Sequence, residues 1–294
     1  MNGIEIIWTV INHINAYIWQ GLPGILKALI SALVFVLVFR KQIKAHPVVF
    51  YLYPTLYLIW GIVRKIGETL NPSGFYESLG GDGSWVWNIY YWAEELGLGV
   101  MFGIALIIIV MFIGVLPQNK LVKNLFTIRT EMSIIGATIL MGHGIAYFPT
   151  SVTDMDTMGI ILYIILGPVI LALLVIPWIT SFRIIRNRMK AGTWKKLQTY
   201  LGIPLFVGML VFGFILNLLW SVDYPFMDAW EVTTSPWDDS VPISLGEGVM
   251  HAEQLVATKI YLVLLVSYII LRIKKVRKSN ATAAGLTAKH NEVA

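Results

Sequence analysis

The chain contains no cysteine. That single absence removes disulfides, thiolate metal sites, iron–sulfur clusters, covalently attached c-type haem and thiol catalysis together. Any metal would rest on His, Met or oxygen ligands. Charge is scarce as well: Asp, Glu, Lys and Arg make up 13% of the residues, against roughly a quarter in ordinary globular domains. No segment carries the period-2 alternation that marks the strands of a transmembrane barrel. The N-terminus lacks the basic region and cleavage site of a signal peptide, with Glu5 its only charge before Lys27, so it is expected to stay on the mature chain.

What is abundant is hydrocarbon, at 57% hydrophobic residues in 294. Seven stretches, near 22–39, 47–66, 96–116, 130–150, 158–181, 200–221 and 254–271, are apolar enough to cross a bilayer core of ~30 Å, which takes about 20 helical residues. A spanning segment must satisfy its own backbone hydrogen bonds, and with a barrel excluded by the patterning this leaves helices. The expected fold is all-α, a polytopic membrane helical bundle of about seven transmembrane helices in contact with the lipid bilayer.

The charges orient it. Eighteen of the 22 basic residues fall in the connections holding Arg40, Lys41 and Lys44, then Lys120, Lys123 and Arg129, then Arg183 to Lys196, and finally the stretch from Arg272 onward. By the positive-inside bias those connections are cytoplasmic, so the N-terminus is outside and the C-terminus is in the cytoplasm of a bacterial cell. Fifteen of the 17 acids lie on the other side, all but Glu131 and Glu292. The net charge of +5 then reflects cytoplasmic loops, and no nucleic-acid partner is needed to explain it.

Residues 1–21 place Ile4, Ile7, Trp8, Ile11, Ile14 and Ile18 at helical spacing opposite Glu5, Asn12 and Gln20, which reads as an amphipathic helix lying in the outer interface. His13, beside its polar edge, reads as solvated. An extra N-terminal span at 22–44 precedes a core at 45–221; an outer loop and last span occupy 222–278, and the small, polar residues 279–294 are expected to be disordered. Outer loops at 67–95 and 222–253 are rich in Gly, Pro, Trp and acids, as binding surfaces often are, although tryptophans also form belts at bilayer surfaces.

An ionisable group inside a bilayer is a functional hypothesis by default. His143 sits in the run "TEMSIIGATILMGHGIAYFPTS"; with Arg129 at the cytoplasmic edge, fourteen residues of helix put the imidazole about 21 Å up, in the outer half of the membrane. Tyr147 follows one turn later, and Thr138, Gly142 and Ala146 form a small-residue groove that admits another helix or a flat cofactor. An interhelical hydrogen bond is the plainer role for the histidine. At the outer end of the last span lie His251, Glu253 and Lys259. Lys259 can snorkel to the surface. Turned inward, it would join His143, Asn217, His251 and Glu253 in a polar pocket suited to an anionic or redox-active molecule such as a flavin or a quinone headgroup.

The stretch "VLPQNKLVKNLFTIRTEMSIIGATILMGHGIAYF" resembles the ferric-reductase-like transmembrane domain family, and within it the haem-binding membrane subunit of the bacterial methionine sulfoxide reductase system. The shared features are a Pro-ended span, a basic loop, an Arg opening the next helix, and H-x-x-x-Y at His143 and Tyr147. "KAHPVVFYLYPTLYLIWGI", "LNPSGF" and "WITSFRIIRNRMKAGTWKKLQTYL" are similar to further segments of that family in the same order, so the likeness covers roughly residues 45–221. It implies b-type haem held by histidine pairs, carrying electrons across the membrane to an extracytoplasmic redox partner protein from a separate reductase or quinone donor.

The chain departs from that pattern at two ligand positions. Where the family has histidines, "WKKLQ" ends in Gln198 and "NLLW" holds Asn217 before Trp220. An inner bis-histidine haem has no ligands here, and an outer haem would use His143, a metal ligand, alone or with His251. Two functions are therefore expected: a membrane redox subunit with haem b, flavin or quinone near His143, or a haem-free anchor or binding subunit that receives a partner protein on the Trp-rich outer loops. Transport has little behind it, because Pro168 and Pro177 interrupt one segment only. The cytoplasmic loops are too short for a nucleotide domain.

Overall fold

The computed structural model describes residues 23–71, 75, 98–146, 167–223, 234–235 and 238–293; for 167–168, 219–223, 234–235, 238–254 and 282–293 it describes the backbone alone. The expected interfacial helix at 1–21 and most of both outer loops lie outside the described residues. The described residues form nine helices: α1 Gly24–Ala45, α2 Pro47–Leu70, α3 Val100–Ile113, α4 Lys120–Phe126, α5 Arg129–Ala146, α6 Gly167–Ser181, α7 Arg183–Arg186, α8 Ala191–Asp223 and α9 Ile243–Val293. A short antiparallel hairpin pairs β1 Thr234–Ser235 with β2 Asp238–Pro242, Thr234 facing Pro242 and Ser235 facing Asp238.

The all-α architecture agrees with the patterning, and several helices suit a bilayer. Three are long and apolar enough to cross one: α2, the Ala191–Leu218 part of α8 and the Leu255–Ala281 part of α9. A fourth is added if α4 and α5, bent by 61° at their junction, count as one span. By helix length and composition the protein is therefore a multi-pass membrane protein, with three or four such spans among the described residues. The other expected spans fall short of that measure or lie partly outside the described residues. α3 has 14 residues, about 21 Å of helix, and stops at Gly114, whose N–H turns back to Met111 and Phe112. α1 is long enough but carries Lys27, Arg40, Lys41 and Lys44. α6 is described over 15 residues.

α3 is apolar on every side, and a helix of that kind belongs in an interior. Phe102, Ala105, Leu106, Ile108 and Ile113 are all buried, and α1 lays Ala28, Ala32 and Val36, one residue per turn, against this core. α5 packs against α2, α3 and α6, while α8 packs against α6 and α9. The α3–α5 crossing depends on two glycines: a Cβ on Gly136 would lie 2.9 Å from the Gly103 carbonyl, and one on Gly103 would lie 3.0 Å from the Gly136 carbonyl. Small residues let membrane helices approach to this distance.

The opposite faces look outward. Along α2, Leu52, Leu56, Ile59, Val63, Ile66 and Leu70 recur every three or four residues and are all exposed, Leu70 by 80%. An apolar stripe of this length suits lipid contact. Residues 279–293, expected to be disordered, continue α9 as helix, favoured locally by Ala281, Ala283, Ala284 and Leu286 and opposed by Gly285.

Candidate functional site

The C-terminal half of α5 is built around its contact with α2. Gly142 meets the Tyr57 ring and the Leu58 backbone so closely that a Cβ there would come within 2.9 Å of Leu58 Cα. His143, the next residue, lies seven positions beyond Gly136 and so shares the helix face that crosses α3. Its ring is half-buried with Nδ1 enclosed by protein, and Arg64 is its charged neighbour. Arg64 in turn holds Glu68 at 2.8 Å, both side chains largely covered. The C-terminal end of α2 thus brings an imidazole, a guanidinium and a carboxylate into one neighbourhood. Tyr147 lies outside the described residues.

The other residues expected near His143 are placed differently or are not described. Asn217 turns its amide back on its own helix, Nδ2 donating to the Gly213 carbonyl at 2.7 Å. Gly213 in turn lies under the Tyr261 ring of α9. Lys259 is exposed. The side chains of Trp220, His251 and Glu253 lie outside the described ones. Thr138, expected in the small-residue groove, accepts a hydrogen bond from Trp178 Nε1 at 2.9 Å and donates to the Ile134 carbonyl at 2.7 Å, tying α5 to α6. Among the described residues no group of three or more His, Cys, Asp or Glu could hold a metal ion.

The basic end of the bundle is more developed. There α3, α5, α6, α8 and α9 enclose a cavity of about 240 Å³. Its polar wall comes from Arg129 and Ser133 on α5, Trp178 and Ser181 on α6, Trp194, Lys195, Gln198 and Thr199 on α8, and Tyr268, Arg272 and Lys275 on α9. Tyr268, part of that wall, stacks edge-on against Phe206 at 4.7 Å and Phe112 at 5.8 Å.

Gln198 explains how this end is held. Its Nε2 donates to the Pro177 carbonyl at 3.0 Å, to Thr180 Oγ1 at 3.1 Å and, more weakly, to Ser181 Oγ at 3.5 Å. Because a carbonyl can only accept, the contact with Pro177 fixes which amide atom points there. Trp194, one turn earlier on α8, donates Nε1 to the Thr180 carbonyl at 2.9 Å. Together they add donors from α8 to the C-terminal carbonyls of α6, where the Pro177 carbonyl also accepts from Ser181 Oγ at 2.7 Å and Thr180 Oγ1 at 3.2 Å. The "T-S" pair and the "W-x-x-x-Q" spacing are thus one joint between two helices.

Arg129 also reaches this cavity and lies over the Phe126 ring at 5.6 Å. Lys275 donates to the carbonyl of Gly114, placing a cation at the C-terminus of α3, where the helix dipole favours one. Lys275 is within electrostatic reach of Arg272, Arg129 and Lys195. Glu131 is buried nearby, but its ion pair, at 3.7 Å, is with Arg183. Arg186 stacks over Trp194 at 5.7 Å and donates to Thr130. Of this set the sequence reading singled out Arg129 alone; Arg272, Lys275 and Lys195 passed as orienting charges. A signal was present: Tyr268, Arg272 and Lys275 fall at i, i+4 and i+7 on one face of an otherwise apolar helix.

Fold and site together define an all-helical, multi-pass membrane protein with a cationic cavity at one end. No family model matches the chain, and no solved structure matches it. An uncharacterized protein of Treponema pallidum (strain Nichols) is 32% identical over 104 residues, covering 33% of this chain and 29% of that protein. The chain thus spans under a third of the length of that relative in the matched region.

Proposed function

We propose that this chain is a haem-free binding subunit of the bacterial cytoplasmic membrane, a ferric-reductase-like bundle whose inner haem position has become hydrogen-bonded packing. The observation that supports this reading is Gln198. It stands where the resembled family has a histidine, and its nitrogen is a donor shared among three oxygens of α6. An amide nitrogen so engaged offers iron no lone pair, so the residues at this position do not fit an axially ligated haem. The outer loops at 67–95 and 222–253 would supply the surface for a partner protein.

The test is an absorption spectrum and flavin assay on the full chain purified from cells supplied with iron and haem precursors. Neither haem nor flavin is expected in stoichiometric amount; one equivalent of b-type haem per chain would overturn the reading. Gln198→Leu is expected to leave the spectrum unchanged while destabilising the protein by about 0.5–1.5 kcal/mol, because the α6–α8 joint loses its amide donor while the Pro177 carbonyl keeps Ser181 and Thr180.

A second reading keeps electron transfer toward an extracytoplasmic acceptor, with a b-type haem, a flavin or a quinone at His143. It is favoured by the imidazole itself, set far along a membrane helix beside Arg64. The described side chains supply one histidine there; His46, the other, caps the opposite end of α2. A visible band abolished by His143→Ala and unaffected by His46→Ala would establish this reading in place of the first.

A further inference from the structure

We propose that the cavity at the basic end binds a phosphoryl oxyanion, with Arg129, Lys195, Arg272 and Lys275 as its counter-charges. The inference rests on the reading of the chain as a binding subunit and names the ligand chemistry. Four cations converge on one cavity of about 240 Å³. Among the described residues no carboxylate pairs with any of them: the acids assigned to this side of the membrane are Glu131 and Glu292, and Glu131 pairs with Arg183. Like charges gathered this closely repel, most of all the partly covered Arg129 and Arg272, and an anion seated between them turns that repulsion into attraction.

The cations are also graded in depth. Lys195 and Lys275 are exposed at the mouth, whereas Arg129 and Arg272 are half-covered within. A lysine that merely snorkels would point its ammonium away into solvent. Lys275 instead bends onto the Gly114 carbonyl, which keeps its charge at the cavity wall. Guanidinium groups suit phosphoryl oxygens because two N–H bonds match two oxygens, and Ser133 and Thr199 add neutral hydroxyls to the same lining. Deeper in, the wall turns apolar at Ile107, Ala137, Leu174 and Leu205. Charge at the mouth with hydrocarbon behind it fits the phosphoryl headgroup of a membrane lipid, a known use of basic pockets between helices, and a free phosphate would meet the same donors.

The experiment uses the full chain in nanodiscs of phosphatidylcholine, with or without phosphatidic acid, and separately with inorganic phosphate added to the neutral discs. The readouts are the thermal midpoint and the lipid retained after washing. Arg272→Gln and Lys195→Gln are compared with Arg188→Gln, a basic residue outside the cavity. Phosphatidic acid or inorganic phosphate is expected to raise the midpoint of the wild type and of Arg188→Gln. Arg272→Gln is expected to weaken the response about tenfold or more, the loss of a charge-assisted bond. Arg272→Lys keeps the charge and guards against misfolding; it should retain part of the effect. A response to phosphatidic acid alone identifies the lipid as the source, and one to inorganic phosphate in neutral discs identifies a soluble anion. No response to either, or equal losses in Arg188→Gln and Arg272→Gln, overturns the site. A haem band with an intact anion response would remove the binding-subunit reading and leave the site standing.

Discussion

Replacing Gly136 with alanine adds one methyl group where α3 and α5 cross. That carbon would lie 2.9 Å from the Gly103 carbonyl oxygen, 3.2 Å from Leu106 Cβ and 3.3 Å from Ile107 Cδ1. Comfortable carbon contacts begin near 3.5 Å, so α3 and α5 must separate by roughly half an ångström along this seam. The nearest obstacle is backbone, which has no rotamer to yield. Overpacking of this kind costs about 1–3 kcal/mol, against which alanine recovers at most ~1 kcal/mol of helix propensity. Gly144 provides the internal control on the same helix, because a Cβ there meets nothing within 4 Å. Gly144→Ala is therefore expected to be neutral or stabilising by up to ~1 kcal/mol, and the two variants should differ in sign. Reversible unfolding in mixed micelles of rising sodium dodecyl sulfate, followed by far-ultraviolet dichroism, measures both. If Gly136→Ala is as stable as Gly144→Ala, the crossing is not held by close backbone approach and the packing argument fails.

Other substitutions test separate parts of the fold. Asn119 caps α4 by accepting from Val122 N–H at 2.9 Å, so Asn119→Ala should cost about 0.5–2 kcal/mol while leaving the anion response of the cavity intact. Phe206 is fully buried between Phe112 and Tyr268. Phe206→Ala should cost roughly 1–3 kcal/mol in the same unfolding assay, less than in a soluble core, because lipid and not water surrounds the unfolded reference state. Trp178→Phe removes the donor to Thr138 and should cost about 1 kcal/mol; a full-length chain that loses nothing would show that the α5–α6 tie is not made.

The apolar helices were legible because their runs are long, and the expected start at 47 is where Pro47 opens α2. The stop of α3 at Gly114 and the short α4 capped by Asn119, in what reads as a basic loop, were not, since each turns on local backbone hydrogen bonds. The number of spans was less legible. A run at 96–116 reads the same whether lipid or protein surrounds it, and only the packing of α1 and α5 on α3 reveals an interior helix. The site was partly legible. Arg129 and His143 stood out as charged or ionisable groups in apolar surroundings, while Gln198 was noticed for what it lacks and not for the joint it makes.

By itself the amino-acid order determined an all-helical membrane chain with its basic residues gathered at one end, since composition and hydropathy act on each segment separately. Only the tertiary structure decided that Arg129, Lys195, Arg272 and Lys275, drawn from three helices far apart in sequence, face one cavity. It also decided that Gln198 closes the end of α6. Both depend on which helix faces cross and how closely, and that is set where small residues such as Gly103 and Gly136 allow two backbones to meet.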